Sequence, residues 1–272
     1  MGCLRGTLVY SEGRGRRLEL GIPLGDEDVR ELGAPIVNMS IIVLNFAVFI
    51  IGLAAPWLIV PGSRSYSDVI AALGMVPAYV VAGERLYTIF TSMFLHGSWA
   101  HILGNMLYLY IFGDNIESIL GKVRYVILYI ASGLGAVVFH VASIAFMPSE
   151  ALINAALSSA NPWMIPAVGA SGAISGVLGA YALLIPFSRV RMLTFWGWFP
   201  LVLNVPASIF IGFWFIYQLI MGLATSVSGV SAGIAFWAHV GGFLTGVALA
   251  PLLVDKRRLG LALRILLLKT YY

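Results

Sequence analysis

The chain has 272 residues, 60% hydrophobic and 10% charged, with a formal net charge of +4 and a mean hydropathy of +0.94. Soluble domains carry about 45–50% apolar and about 25% charged residues, so this composition excludes a water-soluble globular protein and a disordered one. Cys3 is the single cysteine, which excludes a disulfide scaffold; a polytopic membrane protein of the all-α class remains.

Residues 1–35 are mixed in charge and contain no apolar leader-like core. They predict a cytoplasmic N-terminal segment without a cleaved signal peptide, as suits a prokaryotic cell membrane. A helix needs about 20 apolar residues to cross the hydrocarbon core. Six stretches qualify, at residues 37–60, 99–119, 124–147, 168–187, 204–224 and 233–254, within a membrane domain spanning 36–254. The loop 61–98, carrying Tyr66, Tyr79 and Tyr87, reads as an interfacial segment. The apolar run Leu193–Ala224 is too long for one span, and Pro200 and Pro206 break its first third. Residues 193–203 are therefore expected at the interface, with the helix starting after them. In the tail 255–272, the stretch Arg258–Lys269 alternates basic and leucine-rich positions and is predicted to lie on the membrane surface.

The basic residues lie between apolar runs and read as topology signals, not as a nucleic-acid surface. Lys122 and Arg124 separate spans 2 and 3, Arg189 and Arg191 separate spans 4 and 5, and Lys256, Arg257 and Arg258 follow span 6. Loops 3–4 and 5–6 contain no Lys or Arg. Both termini are thus predicted to be cytoplasmic, with spans 2, 4 and 6 starting at the outer face.

Strongly polar residues inside spans are functional candidates by default. Span 2 opens on His96-Gly-Ser-Trp-Ala-His101 and carries Asn105; span 4 opens on Gly169-Ala-Ser171-Gly172 with Ser175 and Gly176; span 6 carries Ala238-His239-Val-Gly241-Gly242 and Gly246. At 1.5 Å of rise per residue, Ser171, His239, His101 and Asn105 fall about 5, 9, 3 and 9 Å below the outer boundary. Gly172 and Gly176, with Gly242 and Gly246, form small-xxx-small steps that let two helices approach closely. Ser171 paired with His239 across them would make a nucleophile and a base. A helix N-terminus, His101 and Asn105 would stabilise an oxyanion. Asp114 and Glu117 are the only carboxylates in a span and lie at its other end. The site therefore reads as a Ser-His dyad whose imidazole is oriented by packing.

Other readings stand beside this one. A serine in a membrane helix ordinarily bonds its own i−4 carbonyl, which is the reading for Ser175, and His140 on span 3 reads as structural. A metal site from His96, His101 and His239 is the other chemical option, without a carboxylate or second cysteine at that depth. A channel or transporter would place charges near the midplane or show repeats; the sequence has neither.

Across residues 84–254 the ordered set His101-x-x-x-Asn105, Gly169-Ala-Ser171-Gly172 and Ala238-His239-Val-Gly-Gly resembles the rhomboid family of intramembrane serine proteases. The stretch Thr91–His101 resembles that family's approach to the second span. The resemblance implies a six-helix bundle with Ser171 as nucleophile and His239 as general base. His101, Asn105 and the Ser171 amide would line the oxyanion hole. It also implies single-span transmembrane protein substrates in the lipid bilayer and no metal or organic cofactor. Two positions depart from the family pattern: Tyr87-Thr88 stands where many members have Trp-Arg, and Ser175 where many have an aromatic packed on the base. His239 then needs another support, from Phe236, Trp237 or Phe243. Substrate is expected to pass a gate at span 5, whose Phe210, Phe213, Trp214, Phe215 and Tyr217 would pack loosely on span 2. The alternative from another class is a non-catalytic membrane protein that binds client transmembrane helices in the same cavity.

Overall fold

The computed structural model describes residues 21–27, 29, 32–157, 161–196, 198–229 and 233–271. The first twenty residues of the expected N-terminal segment lie outside the described residues.

Six helices form the body: α1 (Ile36–Ala54), α5 (Trp99–Leu120), α6 (Lys122–Ala145), α8 (Ser171–Leu184), α9 (Ala207–Ser228) and α10 (Phe236–Leu253). Four of them, α1, α6, α9 and α10, are long and apolar enough to cross a membrane. The shorter α8 is the most enclosed, with eleven of its fourteen residues buried, and it packs against α5, α6, α9 and α10. The outer helices turn large apolar side chains outward, among them Val43 and Ile50 of α1, Val138 of α6, and Phe213 and Ile220 of α9. An apolar face without a protein partner is the arrangement that a lipid surround permits.

Between α1 and α5 the chain is not a featureless interfacial strap. It folds into α2 (Tyr66–Leu73), α3 (Pro77–Val81) and α4 (Thr88–Thr91), with 3₁₀ turns at Pro56–Leu58 and Ser92–Phe94. Ser65 caps α2 in a reciprocal box with Asp68. The Arg85 guanidinium donates to the carbonyls of Ala71 and Ala72 at the end of α2 and lies over the Tyr79 ring. Phe49 locks this segment to α1 and α5 through edge contacts with Tyr66 and Trp99. A further helix, α7 (Ser149–Leu157), stands in the 3–4 loop.

The all-α expectation needs one addition. The apolar run ahead of α9 is an antiparallel hairpin, β2 (Arg189–Trp196) and β3 (Phe199–Pro206), and β1 (Ile22–Asp26) pairs with its outer edge to make a three-stranded sheet, β1-β2-β3. β2 and β3 are rich in Val, Leu, Phe and Trp, which favour strands. Pro206 ends the ladder at its last residue and gives way directly to α9.

At the sheet end, the span carboxylates are structural. Glu117 accepts from the Val37 and Asn38 amides at the start of α1, at 3.1 and 2.7 Å, where the free N–H groups and the helix dipole favour an anion. Asn115 and Tyr181 bind Asp26 of β1, tying the sheet to α5 and α8. The surface tail forms α11 (Lys256–Tyr271), capped by Asp255, which accepts from the Arg257 and Arg258 amides.

Candidate active site

The first turns of α5, α8 and α10 meet at the end of the bundle away from the sheet. Ser98 caps α5 by accepting from the His101 amide, which fixes where that helix begins and puts His101 in its first turn. Asn105 follows one turn later. Ahead of the cap, the Gly97 N–H points at His101 Nδ1 over 3.4 Å. An amide can only donate, so His101 carries its proton on Nε2. Asn105 Nδ2 donates to His96 Nε2 at 2.9 Å; His96 is fully buried, and its ring lies edge-on to His101.

The chain reaches α8 as an extended segment. A bridge pairs Ala167 with Met75, and the Gly169 amide donates to the Ser92 carbonyl at 2.9 Å. Gly169 then adopts φ +130°, a conformation that essentially only glycine takes. A Cβ there would stand 2.8 Å from His101 Nε2 and 3.6 Å from Asn105 Nδ2. Glycine thus serves both the turn and the approach of those two side chains. The turn makes Ser171 the first residue of α8, with no side chain capping the helix, so its end amides are free to face a ligand. His239 is likewise nearer the start of its helix than the sequence depth suggested, three residues past Phe236.

Ser171 Oγ and His239 Nε2 are 2.8 Å apart. The two helices touch through main chain: a Cβ at Gly242 would collide with the Gly172 carbonyl, and one at Gly246 with the Gly176 carbonyl. A Cβ at Gly172 or Gly176 would strike Ala136 or Ser132 of α6. Small residues on three helices therefore set how closely the serine and histidine backbones approach.

The support of His239 differs from the expectation. Phe236, Trp237 and Phe243 make no ring contact with it; the aromatic beside it is Trp214 of α9, 6.0 Å away between centroids and tilted by 35°. His239 Nδ1 meets Gln218 Oε1 at 2.8 Å. Gln218 is 4% exposed and four residues after Trp214, so both lie on one face of α9. Without a carboxylate at this depth the sequence pointed to a dyad; Gln218, the one carboxamide side chain in α9, supplies the third contact. Ser175, at the position expected to hold an aromatic, bonds the Ser171 carbonyl at 2.6 Å.

The expected gate face is divided. Phe210 stacks on Phe112 of α5 at 5.9 Å and 12° and lies against Tyr108. Trp214 and Phe215 turn instead to Phe243 of α10, Tyr217 turns to Phe236, and Phe213 is 66% exposed. α9 follows the 3.6-residue period, so these clustered aromatics cannot share one face.

A cavity of about 270 Å³ opens above the site between Gly97, His101, His140, Val168, Ala235 and Trp237. A narrower pocket of about 50 Å³ continues from it to Ser171, and His140, Ala167, Val168 and Ala235 line both. His140, read from sequence as structural, thus forms part of the approach to the serine. Among the described residues, no group of three His, Cys, Asp or Glu side chains is arranged to hold a metal ion.

Comparison with known proteins adds the family. Residues 83–256 match the Rhomboid domain. RHOMBOID-like protein 12, mitochondrial, of Arabidopsis thaliana is 32% identical over 158 residues, 58% of this chain and 44% of its own. The rhomboid protease AarA of Providencia stuartii is 27% identical over 235 residues, 83% of this chain and 76% of its own. RHOMBOID-like protein 6, mitochondrial, of Arabidopsis thaliana is 28% identical over 181 residues, 66% of this chain and 48% of its own. The chain spans less than half the length of the two plant relatives and about three quarters of AarA. It belongs to the rhomboid family and is a multi-pass membrane protein.

Proposed function

We propose that this protein is an intramembrane serine endopeptidase that cleaves single-span transmembrane proteins near the outer boundary of a cell membrane. The observation that carries the reading is the 2.8 Å contact between Ser171 Oγ and His239 Nε2 across a glycine-lined helix interface. In this reading His239 Nε2 takes the hydroxyl proton as Ser171 Oγ attacks the scissile carbonyl. The oxyanion is held by His101 Nε2–H, the free hydrogen of the Asn105 amide and the Ser171 backbone N–H. His239 then returns the proton to the leaving amine, and water hydrolyses the acyl-enzyme by the reverse path. The cavity lined by His140 and Ala235 gives that water a route to the serine.

All six body helices cross the bilayer in this reading, α5 and α8 being sheltered by their neighbours. Both termini face the cytoplasm, on the side of Lys122, Arg189 and Arg257. Substrate enters sideways between α5 and α9, where Phe210 on Phe112 and Tyr108 is the closure. Phe210→Ala should raise turnover of a transmembrane substrate while leaving labelling by a small probe unchanged; equal turnover would dismiss that route.

The deciding experiment is fluorophosphonate labelling of the purified full chain, with cleavage of a transmembrane substrate in proteoliposomes. Wild type should be labelled and active, and Ser171→Ala and His239→Ala neither. Cleavage retained by Ser171→Ala would overturn the assignment. An unlabelled wild type that still retains client helices would favour the non-catalytic alternative.

A further inference from the structure

We infer that Gln218 of α9 is a positioning residue for His239, holding the imidazole in the tautomer and orientation that a general base needs. The inference rests on the protease reading above and extends it to a third helix.

A general base facing Ser171 must offer Nε2 as a lone pair, so its proton must reside on Nδ1. Both imidazole nitrogens of His239 are engaged at 2.8 Å, Nε2 by Ser171 Oγ and Nδ1 by Gln218 Oε1. An amide oxygen accepts only, which places the proton on Nδ1 and frees Nε2 for the serine. Once His239 has taken the serine proton, the same Nδ1–H still has its acceptor, so the ring keeps its place through the proton transfer. This is the orienting task that a carboxylate performs in a Ser-His-Asp triad, done here by a neutral group. Neutrality suits the location, because an unpaired carboxylate in hydrocarbon is costly. The other titratable groups facing His239, His101 of α5 and His140 of α6, bear no negative charge and do not replace the acceptor.

The contact also reaches across helices. Ser171 and His239 belong to α8 and α10, which are clamped by glycine. Gln218 and Trp214 come from α9, which bears the Phe210 closure. The base is therefore oriented only while α9 is seated.

The test compares Gln218→Met, which removes the acceptor at similar volume, with Gln218→Glu, whose carboxyl keeps an oxygen that accepts from Nδ1–H whether neutral or ionised. Wild type and Gln218→Glu should react with a fluorophosphonate at rates within a few-fold of each other. Gln218→Met should be about 10²-fold slower, as for a catalytic group displaced by roughly 1 Å. With a transmembrane substrate, kcat should fall while KM holds. Gln218→Met reacting at the wild-type rate, Gln218→Glu as slow as Gln218→Met, or a loss confined to KM would each overturn the inference and leave the protease reading intact. A wild type that does not react at all overturns both. A readout independent of turnover is the tautomer in nitrogen-labelled histidine spectra of the Ser171→Ala protein. His239 should be protonated on Nδ1, and a proton on Nε2 would also overturn the inference.

Discussion

Replacing Gly242 by alanine tests whether main-chain contact sets the catalytic distance. The added Cβ would collide with the Gly172 carbonyl oxygen, which belongs to the rigid backbone of a helix buried on most sides. Reaching an ordinary contact near 3.5 Å requires α10 to move away by roughly 1.5 Å. Overpacking of that kind costs about 1–3 kcal/mol. The same displacement would stretch the Ser171–His239 contact from 2.8 Å beyond the roughly 3.2 Å reach of a productive pair, for a loss of about 10²-fold in rate. Gly212 of α9 is the control: its Cβ would meet open space, and alanine there should gain up to about 1 kcal/mol from helix propensity. Fluorophosphonate labelling rates and thermal unfolding of both variants provide the measurement. A Gly242→Ala protein with wild-type rate and melting would refute the claim that the glycines set the spacing.

Three further outcomes are expected. Asn105→Ala should lower kcat by about 10²–10³-fold, the usual cost of one oxyanion donor, and cost about 1–3 kcal/mol of stability by leaving the buried His96 Nε2 without its donor, as measured by substrate cleavage beside calorimetry. Glu117→Gln should cost about 1–2 kcal/mol by weakening the charged cap on the Val37 and Asn38 amides, while the labelling rate per folded molecule stays constant. The Arg258 and Arg257 amides hold the Asp255 carboxyl below its ordinary range. Its cap on α11 is therefore complete above the unfolded value of about 4 and is lost as pH falls through the lowered folded value. Amide-exchange protection at Arg257 and Arg258 should collapse in that acid window, and Asp255→Asn should show no such transition.

The body helices were legible because hydropathy alone selects them: all six expected spans begin within three residues of a helix start. Span 1 was set too long at its far end, where Pro56 stops the α-helix and opens a 3₁₀ turn. The hairpin was hidden because residues 193–203 are apolar on both strand faces, so no period-2 alternation separated strand from interface. His101, Asn105, Ser171 and His239 stood out as polar groups in apolar surroundings, each within three residues of a glycine. Gln218 had no such company in sequence; its partner is 21 residues away and only helix packing brings it near. His140 was set aside for the same reason, although the fold turns it to the passage leading to the serine.

β3 passes into α9 at Pro206 with no slack between them, and β1 is zipped along β2 and pinned by Asp26 to Asn115 and Tyr181. The sheet thus joins Ile22–Asp26 through two ladders to the foot of the helix that bears Trp214 and Gln218. Edge strand and histidine stand at opposite ends of the bundle, yet an unbroken path of ladder and helix links them.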